Sequence, residues 1–259
     1  MLNLHLPHSL FEWLFVVTAV IMLACIGAGL GLAGLFLIRR TQPNRWSNWL
    51  FAGLLTAMSL TLLDKFLNFS YLSHRHPELA FLPIYMSFSL APLLFYYVKS
   101  RLYPHFDMDR RDFKHFILPT VQLILLAMTT FKSAETKDDF RLYFFSPFYG
   151  NFEKGIFIIQ FFMYLYFTYT FILHERKHHT LIKNRRQVFA LGWLKRMVKT
   201  LFILFGIHAS FILTDYFSYA LFGINLQEKT LFSMVYELSF SAMLGWLCVN
   251  GYFALRRKL

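Results

Sequence analysis

Six ionisable side chains sit where such groups are expensive. Glu12, Asp64, Lys65, His208, Asp215 and Glu237 all fall inside, or just within the edge of, long apolar runs. At the centre of a bilayer a charged side chain costs about 3 kcal/mol or more unless it pairs or faces a polar space inside the protein. Their combined chemistry is that of an ion-pair network or of a pocket for a small polar ligand. His208 precedes Asp215 by seven residues, two helical turns on one face. Lys65 is expected to pair with Asp215 or Glu237. Tyr216, Tyr236 and Asn68 are the neutral polar residues expected beside them. A purely structural network of helix-end charges is the plainer reading of the same pattern.

A second set is the run His174-Glu175-Arg176-Lys177-His178-His179. HxxxHH is one form of the histidine box of membrane di-iron enzymes, since nitrogens at i, i+4 and i+5 can reach one metal. Here Arg176 and Lys177 put positive charge where a cation would bind. No second box accompanies it, because His105 and His115 alone share its side of the membrane. His5, His8, His74 and His76 belong to the other side. A solvated basic loop is therefore expected, with His174, His178 and His179 as the only metal candidates. No G-x-S-x-G elbow, P-loop or HExxH occurs, so neither a catalytic set nor a cofactor is expected.

The elements that carry these residues are membrane helices. Hydrophobic residues make up 57% of the 259 residues and charged residues 15%, against roughly 45–50% and 25% in soluble domains. Seven runs approach the roughly 20 residues needed to cross hydrocarbon: 10–38, 46–68, 79–98, 116–131, 155–173, 198–222 and 231–255. Nineteen of the 26 Lys and Arg fall on one side of this alternation, after the first, third, fifth and seventh runs. The positive-inside rule makes that side cytoplasmic. The expected fold is an all-α integral membrane protein, a seven-transmembrane-helix bundle forming a single domain, with its N-terminus outside and its C-terminus cytoplasmic. The first run lacks a preceding Lys or Arg and reads as a retained helix rather than a cleaved signal. Cys25 and Cys248 lie within runs and read as small apolar packers.

Gly27, Gly31 and Gly34 recur on one face of the first run. Such a face admits a second helix at close range, within the bundle or across a homodimer seam. Between runs four and five, residues 132–154 are charged first and aromatic afterwards. They are expected at the headgroup level, or as a lid over an outer pocket. After run five, residues 188–194 mix apolar and basic character and are expected along the inner interface before the sixth helix turns inward.

The connection between runs three and four has a distinctive order, PLLFYYVKSRLYPHF followed by DRRDFKHFILP. This resembles the membrane-embedded half of AraC-type transcriptional regulators of Bacteroidetes. The shared pattern is a proline-bearing helix end, a Y-V-K-S-x-L-Y-P turn, a short basic segment and H-F-x-P opening the next helix. It is carried by Pro92, Tyr97, Val98, Lys99, Ser100, Leu102, Tyr103, Pro104, His115, Phe116 and Pro119. Weaker echoes are RWSNWLFAGLL and GWLKRM. The family's DNA-binding helices follow the last membrane helix, and this sequence stops at Leu259, so direct nucleic-acid binding is not expected. The resemblance implies a sensor-like module of the bacterial inner membrane that signals to a cytoplasmic partner. A small transporter using the same polar cluster, and a metalloenzyme on the histidine box, are the alternatives.

Overall fold

The computed structural model describes residues 8–38, 45–103, 106–179 and 185–256. Of the residues singled out above, His5, Pro104, His105 and Leu259 lie outside these, as do the side chains of His8, His74, Arg176, His178 and His179. Every regular element among the described residues is helical. The long ones are α1 (His8–Ile38), α2 (Arg45–Phe69), α3 (Ser87–Leu102), α4 (Ile117–Thr130), α5 (Gly150–His179), α6 (Arg185–Phe222) and α7 (Thr230–Arg256).

Among the described residues six helices are long and apolar enough to cross a membrane: α1, α2, the run Arg110–Thr130 that ends in α4, α5, α6 and α7. Their outer faces carry Ile21, Leu35, Ile124, Met128, Ile159, Ile203 and Val249, all exposed. A soluble fold does not leave that much apolar surface in water. The core is the opposite face of the same helices. Phe51, Leu55, Met58, Leu62, Leu90, Leu94, Phe161, Leu165, Phe205, Phe240 and Leu244 are essentially inaccessible. α3 lies at the centre, against α2, α4, α5 and α6, and α1 closes the bundle against α2 and α7.

The third expected span, 79–98, is where the structure departs most. α3 starts at Ser87 and has 16 residues. Residues 80–86 are not helical and descend into the bundle. Pro83 explains this, since it has no amide proton and pushes the residue before it out of the helical region. Phe81 adopts φ 58°, left-handed and costly for a bulky residue. Its ring is clasped between Phe140 and Phe145, at 5.4 and 5.2 Å, and its carbonyl accepts from the Thr130 hydroxyl at 2.6 Å.

Three further expectations change. Pro92 lies inside α3 rather than at its end, as its sixth residue. α6 is one 38-residue helix, so residues 189–197 belong to it, with Trp193 and Leu194 buried in the bundle instead of lying along the interface. The close approach of α1 to α2 is at Gly29, not at Gly27, Gly31 or Gly34. A Cβ at Gly29 would overlap Ser59 Oγ, whereas nothing lies within 4 Å of one at the other three. Gly27 and Gly31 are exposed. Residues 132–154 form a short helix, Ala134–Phe140, and a wide helical turn, Arg141–Tyr149. Lys137, 3% exposed, reaches from the first onto the carbonyls of Pro77 and Glu78, and Leu142, Tyr143 and Phe144 face outward.

Pro92 leaves the Phe88 carbonyl without its helical donor. Gln160 of α5 supplies one, Nε2 to Phe88 O at 3.1 Å. Gln160→Leu should therefore cost about 1 kcal/mol in unfolding free energy. In a Pro92→Ala background the helix donates its own N–H, and the same change should cost markedly less. Equal costs in both backgrounds, by thermal or denaturant unfolding in detergent, would remove this account. Gly29→Ala is expected to destabilise by about 1–3 kcal/mol, with partial recovery on adding Ser59→Ala, while Gly27→Ala stays near neutral.

Candidate functional site

The intramembrane charges gather where α2, α5, α6 and α7 meet the start of α3. Lys65 leaves α2 one turn before its end. Its Nζ lies 3.5 Å from Glu237 Oε2 and donates to the Tyr236 hydroxyl at 2.9 Å, both on α7. The same ammonium stands over the rings of Tyr236 and Phe240, at 4.1 and 5.4 Å. Lys65 and Glu237 are each 10% exposed at the side chain. Glu237 Oε2 has this ion pair but no hydrogen bond. A buried pair with an incompletely satisfied carboxylate adds little net stability, because desolvation cancels most of the attraction.

Of the two partners expected for Lys65, Glu237 is the one in place. Asp215 pairs instead with Lys154 of α5, at 3.7 Å, and accepts from the Leu226 amide at 3.2 Å. His208 is buried beneath, stacked on Tyr236 at 4.9 Å and with Nδ1 2.7 Å from Ser239 Oγ. Asp64 turns along α2 and meets Asn68 Nδ2 at 3.4 Å. Glu12 is exposed on α1, and Asn68 and Tyr216 are exposed as well, whereas Tyr236 is buried. Lys65, Glu237, Tyr236 and His208 thus form one group and Asp215 with Lys154 a second.

Sequence reading missed the polar residues that hold the start of α3. The Phe88 amide is one of the unpaired donors of the first turn, and it donates to Gln122 Oε1 of α4 at 3.3 Å. Gln122 Nε2 in turn donates to Ser87 Oγ at 2.9 Å and, at very short range, to Glu153 of α5. The Met86 amide donates to Thr61 of α2 at 3.1 Å. Glutamines within apolar runs were the available signal, since an uncharged amide is rarely left unpaired in hydrocarbon. Between this cap and the Lys65 group is a void of about 10 Å³, lined by Lys65, Tyr85, Ser87, Lys154, His208 and Tyr236 among others. That is room for about one water-sized molecule.

A second polar centre lies at the other end of α3. Asp112 accepts from the Tyr96 hydroxyl at 2.9 Å and from the Asp109 amide at 3.1 Å, and Lys99 stands 3.9 Å away. Asp109 and Asp112 form a capping box on the turn Arg110–Phe116. The Tyr103 hydroxyl donates to Glu175 of α5 at 2.7 Å, and that hydrogen bond to the carboxylate pushes the phenol up to about 12. A cleft of about 550 Å³ opens there, lined by Lys99, Tyr103, Phe106, Asp107, Asp109, Arg111 and Asp112.

Among the described residues no three His, Cys, Asp or Glu side chains are placed to hold a metal ion. His174 is exposed, and His178 and His179 fall outside the described side chains. No protein-family model matches the chain, and no curated protein matches it.

Removing one partner of the buried pair should be worse than removing both. Lys65→Met leaves Glu237 uncompensated and is expected to lower stability by about 3–5 kcal/mol. Lys65→Met with Glu237→Leu should return close to the parent. A double variant as unstable as the single one, in unfolding of the purified protein, would contradict the pairing.

Proposed function

We propose that the chain is a sensor-like module of the bacterial inner membrane, with its N-terminus outside and its C-terminus cytoplasmic. Seven helices cross in this reading, α3 doing so together with the half-buried segment 80–86. The input is the polar group around Lys65, Glu237, Tyr236 and His208. The output is the connection 99–115 at the basic end, presented to a cytoplasmic partner. The AraC-type resemblance belongs to this proposal and points to a partner involved in transcription.

One observation carries the reading. α3 is held at both ends by side chains of other helices. At its start are Gln122 and Thr61, next to the Lys65 group. At its other end Tyr96 and Lys99 engage Asp112, and Tyr103, just beyond, engages Glu175. Its 16 residues make a rod of about 24 Å. A ligand that prefers one arrangement at the first end shifts the population at the second. The exposed Gly27 and Gly31 face of α1 is the seam for a second copy in the same proposal, and Gly31→Leu should then abolish dimers in detergent.

A transporter is the second reading, favoured by the start of α3 inside the bundle, since broken helices with buried ends mark many transport sites. Amide exchange separates the two. With Lys65→Met, exchange should accelerate at 61–65 and also at 99–112. Acceleration confined to the first segment would end the coupling argument, and uptake into proteoliposomes lost on the same change would favour transport.

A further inference from the structure

The cluster holds one group that neither ion pair uses. His208 is 1% exposed and borders the void. Ser239 Oγ lies 2.7 Å from His208 Nδ1 and 2.6 Å from the Tyr236 carbonyl. A hydroxyl has one proton, and the carbonyl can only accept, so Ser239 donates to Tyr236 O. It must then accept from the ring, which fixes the Nδ1–H tautomer of His208. Nε2 is then the ring's lone-pair nitrogen. The void that the ring borders admits a water-sized molecule and is too small for a carboxylate or an alkylamine.

We propose that Nε2 of His208 is a proton-binding site, and that the proton is the input the module reads. The inference rests on the sensor reading and names its ligand. A hydronium ion delivers the proton. The N–H bond forms at Nε2, the O–H bond breaks, and neutral water departs.

The new imidazolium meets a crowded field. Lys65 from α2, Tyr85 from segment 80–86, Lys154 from α5 and Tyr236 from α7 line the void with it, Glu237 and Asp215 stand one ion pair away, and Asp64 and Glu153 are the further carboxylates of the cluster. Lys65 and Lys154 share the void with the ring, while Asp215 is engaged by Lys154 and Glu237 by Lys65. A third cation around that void displaces Lys65 from the Tyr236 ring and hydroxyl. The bond between α2 and α7 opens, and the start of α3 loses its neighbour. The closed arrangement therefore belongs to neutral and alkaline pH and the open one to acid pH.

The test uses the full chain in lipid nanodiscs, labelled with ¹⁵N-histidine. The His208 resonance, identified by its absence in His208→Gln, should show a bare Nε2 at alkaline pH and become imidazolium on acidification. Amide exchange at 61–65 and 234–240, divided by the intrinsic base-catalysed rate at each pH, should rise with it, by up to about tenfold per pH unit for one proton. His208→Gln should flatten that rise. Ser239→Ala, which leaves the ring in place, should release the tautomer and shift the midpoint, so a misfolded glutamine variant does not leave the question open. An Nε2–H tautomer at alkaline pH, or an acid-linked rise that persists in His208→Gln or keeps its midpoint in Ser239→Ala, overturns the proposal. If coupling from Lys65 to 99–112 survives that result, the sensor reading stands with a different input.

Discussion

A backbone amide or carbonyl in hydrocarbon has to find its partner inside the protein. Most of this chain meets that constraint trivially, by being helical. The stretch from Ala80 to Pro92 does not. Its carbonyls and amides are met by Thr130 at Phe81, Thr61 at Met86, Gln122 at Phe88 and Gln160 opposite Pro92. Those donors and acceptors come from α2, α4 and α5, so the positions of three helices are tied to one irregular segment. Lys137 adds a fourth tie from above, through Pro77 and Glu78. The central place of α3 follows from this. A short helix with a buried start can exist only where neighbours surround it.

How much of this was legible depends on which physical signal a residue leaves in the sequence. Long apolar runs are unambiguous, and six of the seven expected spans correspond to helices of sufficient length. Run 79–98 looked the same by hydropathy, because Pro83 and Phe81 are as apolar as what surrounds them. The orientation of α1 was illegible for a related reason. Lipid and core are both apolar, so no periodicity separates Gly29, which meets Ser59, from Gly27 and Gly31, which meet no other helix. The tail before run six misled in the opposite direction, since alternating basic and apolar residues suit an interfacial segment and an extended bundle helix equally well.

Charges were read more securely than packing. Lys65 and Glu237 had to find partners, and geometry chose between the two on offer. Lys154 was overlooked because it stands among charged neighbours of a connection and not alone in an apolar run, yet it is the cation that satisfies Asp215. Gln122 and Gln160 leave a weaker mark than any charge, though they carry the hydrogen bonds that make the α3 start viable. The two ends of α3 also differ in kind. One is a dry cluster around a void of one-water size, and the other is an open cleft of about 550 Å³ in which aspartates sit beside lysine and arginine.

The length of α6 has a mechanical consequence. Its 38 residues span about 57 Å, against about 30 Å of hydrocarbon. The bundle nevertheless grips it well beyond the length of one span, since Leu191, Trp193, Leu194, Met197 and Val198 are buried as deeply as His208 and Asp215. One rigid rod therefore joins the polar cluster to the basic end. Repacking around His208 or Asp215 is carried along that whole rod, without any change in the helix itself.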